Sequence, residues 1–158
     1  MISTVNKTDI SKDSGFQKTF NAFYRIRRNA EWRRNYYRIF ESAKRDNFSF
    51  EKVIVELYSA TGNVEASFSS KMIATIDQDK PIWDQYVLHN LGLKLVGMTS
   101  QERVKNAITI YNQIEDWFND YLQTDEACEN ITAFDHWFPS YTWISDVKKI
   151  DYLLWSKR

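Results

Sequence analysis

A single cysteine, Cys128, is all the sulfhydryl chemistry that 158 residues hold. It excludes an internal disulfide, a four-cysteine zinc site and a four-cysteine iron–sulfur cluster, and it points to a reduced, cytoplasmic setting. Glycine, at four, and proline, at two, are nearly as scarce, which counts against a turn-rich sandwich and suits helices. No apolar run reaches the roughly eighteen residues of a membrane span. The start, Met1 to Asp13, is broken by Lys7, Asp9, Lys12 and Asp13 and offers no apolar stretch for a signal peptide. Neither GxGxxG nor GxxxxGK occurs, and His89 and His136 lack ligand-spaced partners, so no metal and no cofactor is expected.

What the chain has in quantity is apolar and aromatic surface: 43% hydrophobic and 16% aromatic residues, enough for one core without staples. The expected organisation is a loosely ordered polar lead over 1–13 and a single helical domain over 14–158.

Net charge is zero, yet the signs are segregated. Between Lys18 and Arg45 stand nine basic residues (Lys18, Arg25, Arg27, Arg28, Arg33, Arg34, Arg38, Lys44 and Arg45) against Glu31 and Glu41. Between Asn106 and Val147 there is no lysine or arginine, but there are Glu115, Asp116, Asp120, Asp125, Glu126, Glu129, Asp135 and Asp146. Two readings stay open at this point. Both runs can be solvated helix faces that pair with each other or with a second copy, making a homo-oligomer. Alternatively the basic run is a phosphate-binding face, which its arginine dominance favours, because the guanidinium fork fits phosphate oxygens.

Apolar periodicity places the helices. The first spans about 15–28, with Phe16, Phe20, Phe23 and Tyr24 on one face. The second spans about 30–45, where Trp32, Tyr36, Ile39, Phe40 and Ala43 form the buried stripe and Arg33, Arg34, Arg38 and Arg45 point away. Ser49 is an N-cap for a third, closed by Gly62 in a left-handed cap. Thr99-Ser100-Gln101-Glu102 is a capping box opening a long core helix through Leu122. A helix over about 125–137 stops before Pro139, and the last, about 145–156, sets Val147, Ile150, Leu153 and Leu154 inside with Lys148 and Lys149 outside.

The stretch Glu65 to Leu93 reads as a short helix, a polar turn at Asp77 to Pro81, and a second short helix. Lys71 sits on the first helix and Asp84 opens the second. The intervening Met72, Ile73, Ala74, Ile76, Ile82 and Trp83 are small or apolar, so both charges are expected to emerge from a packed hairpin.

Ser67-Phe68-Ser69-Ser70-Lys71 resembles the hairpin of the helix-hairpin-helix DNA glycosylase superfamily, in which Gly-Val-Gly-x-Lys opens a helix and the lysine faces the extruded base. Pro81-Ile82-Trp83-Asp84-Gln85-Tyr86-Val87, followed by Leu91-Gly92-Leu93, is similar to that superfamily's segment bearing the catalytic aspartate. The same stretch resembles a set of small bacterial proteins sharing Ser-Lys, Pro-Ile-Trp-Asp and Leu-Gly-Leu. The resemblance implies a compact all-α bundle of six to eight short helices, a reduced glycosylase-like fold with a helix-hairpin-helix-type element.

It also implies a chemistry. Lys71, as a neutral amine, would attack the sugar C1′ and form a Schiff base, while Asp84 would activate it and stabilise positive charge on the sugar. Ser67, Ser69 and Ser70 would help the helix start hold a phosphate. Arg25, Arg27, Arg28, Arg33, Arg34 and Arg38 would carry the backbone of double-stranded DNA, and Trp83 and Tyr86 would stack on the base. The function so implied is DNA binding with base excision or lyase activity, with no membrane partner. The alternative is a non-catalytic helical module that binds nucleic acid or protein on the same scaffold.

Overall fold

Capping residues set most helix boundaries in this chain. The computed structural model describes residues 4–156, and these form eight α-helices and two 3-10 turns with no strand, so the chain is all-α. Among the described residues no helix is long and apolar enough to cross a membrane. The chain divides into two compact units, Met1–Ile76 and Asp77–Arg158. The division falls in the turn of the Glu65 to Leu93 stretch, which the sequence pattern treats as one hairpin within one domain over 14–158.

In the first unit, α1 (Ser14–Phe23) opens where Asp13 accepts the Phe16 amide, at 2.9 Å. It stops five residues short of the expected end. Tyr24 closes the helix, Arg25 takes a left-handed φ of 52°, and the Ile26 amide turns back to Asn21, so 24–29 becomes a connector. Then α2 (Ala30–Asp46) starts at Asn29, whose side chain accepts the Trp32 amide, and ends at Asn47 in the left-handed region. Its predicted stripe of Trp32, Tyr36, Ile39, Phe40 and Ala43 is buried, and Phe16 and Phe20 of α1 pack into the same layer, with Phe20 and Phe40 rings 5.3 Å apart.

α3 (Phe50–Thr61) is capped by Ser49 and closed by Gly62 at φ 73°, as the sequence predicts; a side chain there would be strained whatever the space. α4 (Ala66–Ile76) packs on both α2 and α3. The N-terminal lead, of which residues 1–3 lie outside the described part, is tied down despite its polarity. Val5 and Ile10 are buried, Glu41 accepts the Ile10 amide and Lys44 donates to the Thr8 carbonyl.

In the second unit, Asp84 caps α5 (Gln85–Asn90) and the expected capping box of Thr99 and Glu102 opens α6 (Ser100–Tyr121). α7 (Asp125–Trp137) stops before Pro139, as expected, and passes through the 3-10 turn Pro139–Tyr141 to α8 (Asp146–Ser156). One expectation is overturned on α8. Lys148 and Lys149 are 2% and 4% exposed, not outside, because each amine has carboxylate partners within reach: buried Asp151 for Lys148, and the more exposed Asp135 and Asp146 for Lys149.

Candidate functional site

The aromatic layer between α1 and α2 leaves the opposite edges of the two helices as a polar surface. Ser11, Ser14, Gln17, Lys18, Asn21, Ala30, Arg33 and Arg34 line a groove there of about 510 Å3, and no carboxylate is among them. Its floor is pinned. Tyr37 donates its hydroxyl to Asn21 at 2.7 Å, and Gln17 donates its amide to the Ile10 and Ser11 carbonyls. Burial pushes the Tyr37 phenol far up, with Arg33 pulling slightly the other way, so this hydroxyl stays a neutral donor.

Around the groove the cations lack acidic partners. Among the described residues no ion pair involves Lys18, Arg25, Arg27, Arg33, Arg34 or Arg38, whereas Lys12, Arg28, Lys44, Arg45, Lys52, Lys80, Lys148 and Lys149 all take one. Arg34 and Arg38 are both exposed and stand four residues apart, hence on one side of α2. Arg25 and Arg27 are exposed on the connector. Of the six arginines singled out in the sequence, five therefore form an unneutralised surface and Arg28 does not. The Arg28 guanidinium is held 3.1 Å from Glu65 and lies over the Trp32 and Phe68 rings at 5.4 and 5.5 Å.

Glu65 also decides the chemistry at the start of α4. Its carboxylate is buried, accepts the Trp32 indole N–H at 3.0 Å, and stands immediately before the helix. A resident negative charge opposes a phosphate at that end. The serines do not offset this. Ser69 and Ser70 are buried, and their hydroxyls donate to the Glu65 and Ser67 carbonyls, at 2.8 Å each; Ser67 is half-buried. Lys71 is half-buried on the next turn, with its ammonium 4.9 Å from the Phe68 ring centre and 5.5 Å from that of Tyr24.

Asp84 belongs to the second unit. One carboxylate oxygen accepts the Tyr86 amide at 2.8 Å and the other accepts the Trp155 indole N–H at 3.2 Å. Trp83 is 6% exposed, so its ring offers no free face for stacking, while Tyr86 is half-buried. Lys71 thus belongs to the first unit and Asp84 to the second, two of the three serines turn inward, and of the arginines Arg33 and Arg34 line the groove.

Lys18 is the groove cation missing from the sequence-derived site, although it opens the basic run. Its place beside Arg33 and Arg34 depends on how α1 lies against α2, which no single-helix pattern encodes. A second feature was also passed over, the run Trp137-Phe138-Pro139-Ser140-Tyr141-Thr142-Trp143. Its four large aromatics are 74%, 49%, 51% and 54% exposed in chain order. No protein-family model, no curated protein and no solved structure matches this chain.

Proposed function

We propose that the chain binds nucleic acid through the phosphate backbone, on the α1–α2 face of its first unit. The observation that carries this reading is the carboxylate-free groove holding Lys18, Arg33 and Arg34, with Arg25, Arg27 and Arg38 exposed and outside any ion pair among the described residues. Cations left without acidic partners bind a polyanion and release its counterions, and hydroxyls and amides such as those of Ser14 and Asn21 are the usual further donors to phosphate oxygens. Such contacts carry no base information, so binding is independent of sequence. The test is titration of a labelled duplex over a range of salt. Affinity that falls linearly on a log–log plot, and that drops when Arg33 and Arg34 are changed together to Gln, agrees with the reading; no binding at low salt, or full binding by the variant, rejects it.

Base excision through Lys71 and Asp84 is a second reading. What favours it is the half-buried position of Lys71 against two aromatic faces. Asp84, however, already serves the Tyr86 amide and the Trp155 indole N–H, whereas the groove holds three cations and no carboxylate. Binding without excision is therefore the preferred reading. Borohydride trapping on an abasic duplex decides between them: an adduct that disappears in Lys71→Ala would put excision first.

A further inference from the structure

The second unit carries a feature of opposite character to the groove. Trp137, Phe138, Tyr141 and Trp143 expose about half or more of their surface within seven residues. Single exposed apolar residues are ordinary, but four aromatics on one turn form a patch of the kind that interfaces use.

The turn is not loose. Phe138 packs its ring, tilted, 5.0 Å from that of buried Phe134 and donates its amide to the Phe134 carbonyl at 2.8 Å. The Tyr141 amide closes on the Phe138 carbonyl, the Ile144 amide on Tyr141, and Ile144 itself is buried. Buried Lys149 reaches Asp135 at the end of α7 and Asp146 at the start of α8 and so clamps both flanks. The indole N–H of Trp143 is spent on the Ser140 carbonyl at 3.1 Å, leaving an exposed ring to offer its faces. A partner that meets these rings gains contact without first ordering them.

The helix leading into the patch carries exposed acidic residues. Trp137, Ala133, Glu129 and Glu126 follow one another along α7 at steps of four, four and three, and all four are exposed. Helical rise puts the carboxylates about 12 and about 17 Å from Trp137 along one side of the helix. Asp116, Asp120 and Asp125 are exposed as well, and none of these five carboxylates enters an ion pair among the described residues. Arginine is the side chain that satisfies both features at once, because its guanidinium stacks on indole and phenol rings and pairs with carboxylates. A membrane is the poorer fit, since cytoplasmic leaflets are anionic and the carboxylates would repel them.

The geometry points to the turn Trp137 to Trp143, with Glu126 and Glu129 beyond it, as a docking surface for an arginine-rich segment of a partner protein. The segment would lay cations over Trp137 and Trp143 and continue along α7 toward the glutamates. This proposal is independent of nucleic-acid binding, which uses the other unit.

The test is fluorescence anisotropy with a labelled, unstructured arginine-rich peptide against the full chain, with the same peptide carrying glutamine for arginine as the control. Trp137→Ala and Trp143→Ala, each checked for an unchanged circular-dichroism melt, are each expected to weaken binding about tenfold, the mark of an aromatic hot spot. Glu126→Gln with Glu129→Gln should weaken it only at low salt. Two further measurements use the protein alone: sedimentation over a range of concentration, and flotation with neutral phosphatidylcholine vesicles. Peptide binding that survives both tryptophan changes, or its absence at low salt, overturns the proposal. So does self-association or vesicle binding that the tryptophan changes abolish while the peptide is ignored, which would assign the patch to a second copy or to lipid.

Discussion

Lys148 and Asp151 face each other at 3.6 Å, one turn apart on α8, and both are buried. Neither the Lys148 ammonium nor the nearer Asp151 oxygen has a hydrogen-bond partner among the described residues. The pair is Coulombic without being well solvated, and its surroundings oppose ionisation. Burial pushes the Asp151 carboxyl up to about 7, with Asp84 adding to the rise while Lys148 and the Ile82 amide pull it back. Burial pushes the Lys148 amine down, against Asp151 and Asp77, which pull it up.

The stability of the chain therefore depends on pH through Asp151. Its folded-state value, about 7, lies above its ordinary 3.8, so between those values the folded chain keeps a proton that the unfolded chain releases. The stability that this proton confers is complete below pH 3.8 and is lost as pH rises through about 7. Asp151→Asn should flatten the decline. Lys148→Met should cost little in acid, where the carboxyl is neutral, and about 3 kcal/mol at alkaline pH, where a buried carboxylate loses its counterion. Adding Asp151→Leu to Lys148→Met should restore the melt. Thermal unfolding from acid to alkaline pH checks this, and parallel pH curves for wild type and Lys148→Met would sink it.

Arg28 plays a structural part where the resemblance gave it a DNA contact. Its guanidinium serves buried Glu65, which also accepts the Trp32 indole N–H. Because Arg28 is 40% exposed, solvent screens part of the interaction. Arg28→Met should therefore cost about 1–2 kcal/mol, less than the loss of a fully buried pair. The loss should shrink when Glu65→Gln is present, since a neutral amide can still accept from Trp32. A double-mutant cycle on chemical denaturation reads the coupling; strictly additive losses would show that the two side chains act separately.

What was legible in the sequence is what the local backbone decides. Ser49, Gly62, Thr99 with Glu102, and Pro139 mark their boundaries because a cap or a fixed φ acts within a few residues. The buried stripe of α2 was legible from its period. The early end of α1 was not, because Arg25 carries no local signal for a left-handed turn. The burial of Lys149 was not, since Asp135 lies fourteen residues away on another helix. The inward turn of the Ser69 and Ser70 hydroxyls depends on which side of α4 meets α2 and α3, and a motif match says nothing of that.

Arg33 and Arg34 supply the sharpest check on the groove. If each faces one phosphate, changing both to Gln should make the slope of log affinity against log salt shallower by about 2. Arg45→Gln is the control, because that guanidinium is already engaged by Asp46 through two bonds of 3.0 Å. It should leave slope and affinity nearly unchanged. Equal losses for Arg45 and for the groove pair would mean a diffuse positive field in place of a site.

Asp84 is positioned to act as a structural carboxylate, and its substitution distinguishes that role from a catalytic one. One oxygen caps α5 through the Tyr86 amide and the other receives the Trp155 indole N–H, so it joins the start of α5 to the end of α8. Asp84→Ala removes both acceptors and should cost about 2 kcal/mol, roughly half from the cap and half from the indole left unpaired. Asp84→Asn retains one oxygen acceptor, so its cost should be nearer about 1 kcal/mol. Trp155→Phe removes the indole donor, so in the Trp155→Phe background the cost of Asp84→Ala should fall by about the indole's share. Nucleic-acid affinity should not change in any of the three, because none of them alters a residue that lines the groove. Intact stability in Asp84→Ala, with lost activity on a base-damaged duplex, would reverse this assignment and return Asp84 to the chemistry that the resemblance implied.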